Sequence, residues 1–409
     1  MKRLVPLCLL LLACAGCVRM HVYGDPEASM APDSTDTALR IATYNVSLYD
    51  DEAGGLVRRL ESGDDDTARR IAAVLQRVRP DVVLLNEFDY DAAHRAATLF
   101  QDGYLAHAQP GGGAPLHYPH RYLAPVNTGV PSGLDLDGNG SSDGAGPDRG
   151  NDAWGYGLHP GQYGMLVLSR YPIDTGAIRT FRLLKWSTLP GAARPMEPDT
   201  GAPHYPDAVW TQLRLSSKSH WDVPVRTPGG TLHLLASHPT PPVFDGPEDR
   251  NGARNADEIR LWREYITPGD KPWLCDDDGR CGGLDANARF VIAGDLNNDP
   301  VDGDGRHEAI VELLEHPRVL RHATPRSQGA IEAGARYAAA GIAHRGAAAH
   351  ATGDFGGEVG VLRLDYVLPS TGLQLVDSGV YWPARDDPAS GLVAASDHRP
   401  VWVDVMIGR

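Results

Sequence analysis

Polar residues of the types used in hydrolysis follow several apolar segments of this sequence. Glu87 follows the run VVLLN, and Asp295 follows VIAG. Comparable positions at the ends of apolar runs are held by two histidines and by further carboxylates and amides: Asn45, His238, Asn297, Asp365, Asp397 and His398. Each of these alone is more often a turn or cap residue. Because active sites of α/β proteins gather at strand ends, we expect the set to meet there.

The residue types in this set favour metal-assisted hydrolysis. Carboxylates and amides without cysteine suit a hard, oxygen-preferring cation such as Mg²⁺ or Mn²⁺. Glu87 in particular needs a partner such as a cation, because it follows a nearly continuous apolar run. The two histidines suit proton transfer near neutral pH. Together these residues predict metal-assisted attack of water on a phosphoester.

The overall composition predicts a globular, acidic protein. Of 409 residues, 42% are hydrophobic and 22% are charged, which is a mixture that builds a sizeable core. No internal stretch approaches the ~20 apolar residues that a membrane span needs. The formal net charge is -15. A protein that grips the nucleic-acid backbone usually carries a basic face, so we expect no tight, non-specific nucleic-acid binding.

The first residues resemble a bacterial lipoprotein signal. A basic start precedes an apolar run over residues 4–15, which is too short to span a membrane. We favour Cys17 as the lipidated residue, with 1–17 as the signal and 18–37 as a tether. Cys14 as the lipidated residue and plain secretion are the alternatives. The protein is therefore expected to be exported and to meet the bacterial cell envelope only through its lipid anchor.

Two cysteines lie beyond the leader. Cys275 and Cys281 flank five residues, four of them polar or charged and one a glycine. This spacing predicts a tight loop closed by a disulfide. Chain entropy gives a stabilisation of roughly 2 kcal/mol for so short a loop. A zinc site would need more sulfur or histidine ligands nearby.

Strand-like and helix-like segments interleave from residue 38 to residue 409, with hairpins between some of them. The apolar patterns predict strands at 39–48, 81–88, 164–169, 181–186, 209–215, 223–237 (a hairpin), 290–293, 361–368, 373–381 and 401–407. Helical spacing predicts helices from about residue 66 to Pro80 and at 92–101, 255–266 and 307–314. A Gly- and Asp-rich insertion occupies about 109–162. This order predicts one mixed-sheet α/β domain and not a simple strand–helix alternation.

Six short motifs occur in a fixed order along the chain: Thr43-Tyr44-Asn45-Val46, Asn86-Glu87, Ser237-His238, Gly294-Asp295-Leu296-Asn297, Arg363-Leu364-Asp365-Tyr366 and Ser396-Asp397-His398-Arg399-Pro400-Val401. They resemble the successive motifs of the endonuclease/exonuclease/phosphatase superfamily, over about 39–407. The resemblance implies an α/β four-layer sandwich in which two mixed β-sheets pack face to face, with helices on both outer sides. It also implies a phosphoester substrate.

The resemblance implies a metal site at the first motifs. Glu87 would be the principal ligand of Mg²⁺ or Mn²⁺, with Asn45 and Asp397 close to the metal. Some relatives carry an acidic residue two places after the first asparagine, where this chain has Ser47. The expected metal shell is therefore lean, and we expect a single metal ion.

The resemblance also implies the catalytic roles of the remaining residues. Asp365 would orient His398, and this pair would activate water or balance the charge of the phosphate. Asp295 and Asn297 would hold the phosphate, the water or the leaving group. His238 would contact the phosphate or act as general acid.

The insertion contains an alternation of oxygen-bearing side chains typical of calcium loops: Asp135, Asp137, Asn139 and Asp143. The pattern departs from an EF-hand, because Gly146 stands where a closing glutamate would be. Asp148 or Asp152 could close the loop instead. The sequence therefore predicts either a Ca²⁺ site or an acidic, solvated loop.

Three further polar residues are candidates for substrate binding. Asn127 precedes the acidic segment and is predicted to line the cleft, and Arg254 and Asn255 are predicted to face phosphate. For the last two, the start of a surface helix is the interpretation that we favour over a phosphate contact.

These observations predict a metal-dependent phosphoric ester hydrolase, expected to be monomeric, that acts outside the cytoplasm on small or lipid phosphoesters. An extracellular nuclease that cleaves DNA or RNA is one alternative. The other is a calcium-stabilised binding module on an inactive hydrolase fold. The complete set of Glu87, Asp295, Asp365 and His398 argues against an inactive copy.

Overall fold

The computed structural model describes residues 38–142, 144–321 and 324–408. Within these ranges the strands are β1 Leu39–Leu48, β2 Val82–Phe88, β3 His120–Tyr122, β4 Met165–Ser169, β5 Arg179–Thr180, β6 His220–Thr227, β7 Gly230–Ser237, β8 Arg289–Asp295, β9 Gly353–Asp354, β10 Val361–Leu362, β11 Asp365–Pro369, β12 Gln374–Val380 and β13 Val401–Met406. The α-helices are α1 Gly55–Glu61, α2 Asp66–Val78, α3 Arg95–Phe100, α4 Pro147–Asn151, α5 Asp207–Trp210, α6 Arg250–Ile266, α7 His307–Leu314 and α8 Gln328–Ala339.

Two large mixed sheets form the centre of the molecule. One sheet has the strand order β12-β13-β1-β2-β4-β3, and the other has the order β11-β8-β7-β6-β5. Each sheet contains one parallel pair, β1 with β2 and β7 with β8, and its other pairs are antiparallel. A short β9–β10 hairpin stands apart from both sheets.

Apolar residues on both faces of each sheet explain why four layers form. Between the sheets, Ile41 and Leu84 of one sheet share a buried cluster with Val223 and Val291 of the other. The alternate residues of β1 and β2 face outward and pack on α2, whose own apolar face is buried. The outer face of the second sheet packs in the same way on α6 and α7. The chain therefore forms a four-layer α/β sandwich with helices on both outer sides, as predicted.

Helix α2 illustrates how local sequence fixes an element. The Asp65 side chain accepts a hydrogen bond from the backbone nitrogen of Ala68 at 2.8 Å, which caps the helix N-terminus. Arg79 ends the helix in the left-handed conformation, directly before Pro80. The chain then enters β2, so the predicted helix and strand are confirmed to within a residue or two.

Two predicted strands are wrong. Residues 181–186 are irregular up to a 3₁₀ turn at Trp186–Thr188, and the segment 209–215 begins inside the short helix α5. The two segments pair with each other through an isolated β-bridge between Lys185 and Arg214. Most of their apolar side chains are buried because they pack in the cluster around α6, and not because they belong to a ladder; Leu183 is exposed.

The insertion at 109–162 is more ordered than its composition suggests. It contributes β3, which pairs with β4 at the edge of the first sheet, and the short helix α4. Leu136 and Trp154 from this insertion are buried in the cluster around α6. Asp143 lies outside the described residues.

The predicted Cys275–Cys281 disulfide is present in the structure. Among the described residues, no helix has both the length and the apolar character that crossing a bilayer requires. Cys17, the signal segment and the tether lie outside the described residues.

Candidate active site

Most of the predicted polar residues meet where strands of the two sheets end side by side. Antiparallel pairing of β8 with β11 sets Asp295 directly opposite Asp365. In the other sheet, β1 and β2 run in parallel with Asn45 beside Asn86, so that Glu87 follows at the same edge. The edge is completed by His398, whose backbone forms a bridge with Gly353.

Gly294 and Asn86 bring the two sheets together at this edge. A Cβ atom on Gly294 would lie 2.0 Å from the carbonyl oxygen of Ser237, so only glycine allows β8 this close to β7. The Asn86 amide nitrogen donates to that same carbonyl at 3.2 Å, and its oxygen accepts from the backbone nitrogen of Asp295 at 3.2 Å. Asn86 therefore positions Asp295 from the opposite sheet, a role that the sequence did not reveal.

The Asp295 carboxylate is the centre of the site. Its Oδ2 accepts a hydrogen bond from the Asn45 amide at 3.1 Å. The same oxygen lies 3.4 Å from Nε2 of His238 and 3.5 Å from Nε2 of His398. Burial raises the pKa of Asp295, but His398 and His238 outweigh burial and hold that pKa below its usual range. Asp295 is therefore an ionised carboxylate that joins both predicted histidines.

His398 forms a carboxylate–imidazole pair with Asp365, as the resemblance implied. Nδ1 of His398 lies 2.8 Å from Oδ2 of Asp365, and the Thr352 hydroxyl donates to this oxygen at 2.7 Å. Burial alone would lower the pKa of His398, but Asp365 and Asp295 raise it to about 10. Both ring nitrogens thus face carboxylates, which fixes the orientation of the ring. Thr352 was not foreseen in the sequence.

His238, in contrast to His398, is a buried histidine with a lowered pKa. Its side chain is 2% exposed, and burial, together with the charge of Lys218, lowers its pKa to about 4 despite the presence of Asp295. Its Nδ1 is buried and has no hydrogen-bond partner among the described residues. The two histidines therefore differ in charge although they share one carboxylate.

Glu87 is a carboxyl group that forms no ion pair with a side chain of the described residues. Its backbone is left-handed, with φ 57°, which a non-glycine residue adopts rarely and at some cost in free energy. The Asn45 amide nitrogen donates to Glu87 Oε1 at 3.0 Å. Burial raises the pKa of Glu87, because its charge is poorly solvated. A divalent cation would supply the missing positive charge, so the site fits a metal ion.

The other two predicted metal ligands are placed differently from Glu87. Asn45 points its amide nitrogen towards Glu87 and Asp295, and its oxygen accepts a hydrogen bond from the backbone of Ser47. Its placement is that of a hydrogen-bond donor to the two carboxylates. Asp397 is exposed, and its carbonyl accepts a hydrogen bond from the backbone nitrogen of Asp354.

A second group of possible metal ligands lies deeper in the site. One ligand atom each from Asp295, Asp365 and His398 lie within 4.8 Å of one another, and all three residues are buried. The close contact of Asp365 with His398 already satisfies Nδ1 of the ring. We therefore interpret these three residues as the catalytic pair and its neighbouring carboxylate, with Glu87 as the centre of the metal site.

Asn297 lies beside Asp295 at the end of β8. Its backbone nitrogen donates to Asp295 Oδ1 at 3.0 Å, and its amide nitrogen donates to the carbonyl of Pro239 at 3.1 Å. Its backbone is left-handed, with φ 52°, as in Glu87. The side-chain oxygen of Asn297 has no hydrogen bond to the described residues, so this oxygen is the part of the side chain left for a ligand.

Lys218 is a buried lysine that the sequence analysis missed. It precedes β6, is 6% exposed, and forms no ion pair with the described residues within 4 Å. Burial lowers its pKa, whereas the carboxylates of Glu258, Glu87 and Asp295 raise it. The lysine therefore interacts electrostatically with Glu87 and Asp295 of the site, and a bound anion would favour its charged form. A lone lysine among serines carries no local signal, and only the fold brings it to these carboxylates.

The three predicted substrate contacts have structural roles instead. Asn127 is fully buried, its amide nitrogen donates to the carbonyls of Arg182 and Ser216, and its oxygen accepts from Arg214. These contacts use every polar atom of the side chain. The prediction that Asn127 contacts substrate is therefore corrected.

Arg254 and Asn255 lie inside α6, which begins five residues earlier than predicted. The Arg254 guanidinium donates to four backbone carbonyls: Trp154, Arg214, Leu215 and Ser216. Asn255 is fully buried, donates to the carbonyls of Thr240 and Leu296, and accepts from Asn298. Both residues tie loops to the helix, which corrects the prediction that they face phosphate.

The fold and the site together define a class of protein. It is a four-layer α/β sandwich with carboxylates and histidines at its strand ends. Residues 42–398 match the Endonuclease/Exonuclease/phosphatase family, and the chain belongs to this family. The predicted resemblance is therefore confirmed. Members of the family are metal-dependent hydrolases that act on phosphoesters.

Solved structures with similar folds include three that cover most of this chain. An endonuclease/exonuclease/phosphatase from Beutenbergia cavernae is 20% identical, with a TM-score of 0.49, and the match covers 91% of this chain and 72% of that chain. A family protein from Leptotrichia buccalis is 14% identical, with a TM-score of 0.45, covering 90% and 98%. Sphingomyelinase C from Streptomyces griseocarneus is 18% identical, with a TM-score of 0.40, covering 90% and 99%. A sequence comparison with curated proteins gave no significant match.

Proposed function

We propose that this protein hydrolyses phosphoester bonds by metal-assisted attack of water. The observation that carries the proposal is the Asp295 carboxylate, which joins two histidines and lies next to Asn45 and the uncompensated Glu87. Its two histidines differ in charge, so the site offers one imidazole as a cation and one as a neutral group. Such a pair suits charge stabilisation and proton transfer in one reaction.

Glu87 would hold Mg²⁺ or Mn²⁺, with Asn45 and Asp397 beside it. When bound, the cation would neutralise negative charge that develops on the phosphate. Glu87 fits this role because its half-buried carboxylate lacks an ion-pair partner among the described residues, and because its neighbours offer oxygen ligands. Asn45 would keep Glu87 and Asp295 apart in fixed positions, since its amide donates to both carboxylates.

The protein's own groups would then bind the phosphate and move protons. His398, held by Asp365, would place positive charge against the phosphate oxygens. Asp295 and the Asn297 side-chain oxygen would orient the attacking water. Neutral His238 would take the proton that the attacking water releases and pass it to the leaving oxygen. Lys218 would add a second fixed positive charge.

Compact phosphoesters, including lipid headgroups, are the proposed substrate class. A net charge of -15 repels long polyanions, whereas a small phosphoester carries little charge to repel. The leader supports a further proposal, that the protein works outside the cytoplasm with a lipid on Cys17. Mass spectrometry of the mature N-terminus would test it, and an unmodified N-terminus beginning elsewhere would contradict it.

A panel of phosphomonoesters, phosphodiesters, phospholipids and duplex DNA tests the proposed function. We expect the purified protein with Mg²⁺ to release product from the compact substrates faster than from DNA. No activity on any phosphoester would support the inactive binding module. Preferential cleavage of DNA, with tight DNA binding and a steep salt dependence, would make the protein a nuclease.

Replacing Lys218 with methionine is expected to lower kcat/KM by roughly tenfold or more while the protein stays folded. Methionine matches the length of the side chain but removes the charge that we assign to phosphate binding. The melting temperature should hold or rise, because an unpaired buried ammonium costs free energy in the folded state. Steady-state kinetics and thermal unfolding measure the two effects.

Lys185→Met is the matched control, since the Lys185 ammonium binds the carbonyl of Gln212 outside the site. It should leave kcat/KM unchanged. Lys218→Arg should recover part of the activity by restoring the charge. Full activity in Lys218→Met would show that Lys218 does not contribute to substrate binding or catalysis.

A further inference from the structure

Three carboxylates of the insertion lie close together in space, and in the sequence they are well separated from Glu87. One carboxylate oxygen each from Asp135, Asp137 and Asp152 lie within 4.8 Å of one another. Across the described ranges, none of the three forms an ion pair with a lysine, arginine or histidine. Negative charges this close repel one another unless a cation lies between them.

Asp152 distinguishes this group from an ordinary acidic surface loop. Its side chain is buried, with the residue 2% exposed, and its Oδ2 has no hydrogen-bond partner among the described residues. Its Oδ1 accepts from the backbone nitrogen of Leu136 at 2.7 Å. Burial raises the pKa of Asp152, and the charges of Asp137 and Asp135 raise it further. A buried carboxylate oxygen without a partner is costly, so this oxygen points to a missing ligand.

The hydrogen bonds of the loop shape the group without neutralising it. Asp135 Oδ1 accepts from the backbone nitrogens of Gly138 and Asn139, at 2.8 and 3.1 Å. Asp137 Oδ2 accepts from the amide of Asn151 at 3.1 Å. These donors hold Asp135 and Asp137 in place but carry no positive charge. The loop is thus folded around a negative centre.

We propose that the loop binds a calcium ion through Asp135, Asp137 and Asp152. All the candidate ligands are oxygen atoms, and an irregular loop can complete the shell with backbone carbonyls and water, as Ca²⁺ prefers. Mg²⁺ is the poorer fit, because it requires a near-ideal octahedron and usually keeps several waters. The proposal does not depend on the hydrolytic activity proposed above.

This ligand set revises the one that the sequence suggested. Asn139 donates its amide nitrogen to Asp137, and its oxygen accepts from the backbone nitrogen of Ser141. Asn139 is therefore placed to support the loop and not to bind the ion. Asp152, which is fifteen residues beyond Asp137 and follows α4, closes the site.

The proposed ion would also fix a segment that touches the active site. Two residues after Asp152, the carbonyl of Trp154 accepts a hydrogen bond from Arg254. A Cβ atom on Gly155 would lie 1.9 Å from the carbonyl oxygen of Ser217, so the insertion runs directly against the residue before Lys218. The calcium site therefore anchors a segment that contacts the backbone of the lysine's neighbour.

Calcium titration by calorimetry, together with Tb³⁺ luminescence sensitised by Trp154, tests the proposal in the full chain. With Mg²⁺ present in excess to occupy the active site, we expect one Ca²⁺ site that also takes Tb³⁺ and raises the melting temperature. Asp152→Asn should weaken Ca²⁺ binding at least tenfold and abolish the thermal shift. It keeps the acceptor for Leu136, so the loop should still fold. Asp137→Asn is a second variant, with the same expected loss.

Two matched controls separate this site from the active site. Asp148→Asn removes the other carboxylate that the sequence offered to close the loop; this residue is exposed and lies outside the group of three, so the change should leave Ca²⁺ binding unchanged. Glu87→Gln should also leave it unchanged, since Glu87 lies at the active site. Unaltered binding in both Asp152→Asn and Asp137→Asn, or no Ca²⁺ binding by the native protein, would overturn the proposal. Neither result depends on whether the protein hydrolyses phosphoesters.

Discussion

His398→Ala is expected to reduce kcat by on the order of 10²-fold or more while the protein stays folded. Among the described residues, only His398 contacts both Asp365 and Asp295 through its two ring nitrogens. Its loss therefore leaves both carboxylates without the imidazolium between them. Asp295→Asn should cost a similar factor, because it removes the charge that both histidines share. Steady-state kinetics on the best substrate of the phosphoester panel measures both effects.

The control for this prediction is a histidine outside the site. His344 contacts the carbonyl of Val359, and His344→Ala should leave kcat unchanged. Circular dichroism and thermal unfolding should show that all the variants are folded. Near-native kcat in both His398→Ala and Asp295→Asn would contradict the proposed mechanism.

Asp365 is expected to act through His398, and a double-mutant cycle can show it. If Asp365 only holds the imidazole, Asp365→Asn combined with His398→Ala should cost no more than His398→Ala alone. Asp365→Asn alone should lower kcat with little change in KM. The imidazole ring would keep a hydrogen-bonding partner, but that partner would no longer be negatively charged. Additive losses would mean that Asp365 contacts the substrate independently.

The strand-end residues were predictable because the sheet itself carries the information. A buried apolar run followed by a polar residue marks a strand end, and β2 and β8 both follow this rule with Glu87 and Asp295. The parallel and antiparallel pairings then bring these ends to one edge. Local sequence therefore predicted which residues meet, although it did not predict the distances between them.

The residues that sequence reasoning missed are defined by partners far along the chain. Asn86 reads as part of a motif, yet its hydrogen bonds reach Ser237 and Asp295 across the sheet interface. Lys218 carries no local pattern, and its importance comes from the carboxylates that surround it after folding. The prediction for Asn127 failed for the same reason, because this residue was expected to line the cleft and is instead fully buried among partners distant in sequence.

The misplaced strands have the same origin. The residues at 181–186 and 209–215 have the apolar content of strands, but their burial comes from packing near α6. The Trp186 indole nitrogen donates to Asp257 of that helix at 2.7 Å, which is a side-chain contact and not a ladder bond. Apolar content shows that a segment is buried but does not show what buries it.

Removing divalent cations is expected to abolish activity, and added Mg²⁺ or Mn²⁺ should restore it. Glu87→Gln should raise the Mg²⁺ concentration needed for half-maximal activity by tenfold or more, because it removes the charge and keeps the shape. Activity measured across a Mg²⁺ series shows this shift. Glu358→Gln, which changes an exposed glutamate, is the control and should leave the Mg²⁺ dependence unchanged.

Chelation would also strip the proposed calcium site, so the two effects must be separated. In the Asp152→Asn variant the calcium site is already lost, and any remaining response to chelator and Mg²⁺ belongs to the active site. We expect that variant to keep its full dependence on Mg²⁺, because Asp152 groups with Asp135 and Asp137 and not with the active-site carboxylates. An enzyme that stays active after chelation, in both the native protein and this variant, would show that Glu87 holds no catalytic metal and that hydrolysis proceeds by another route.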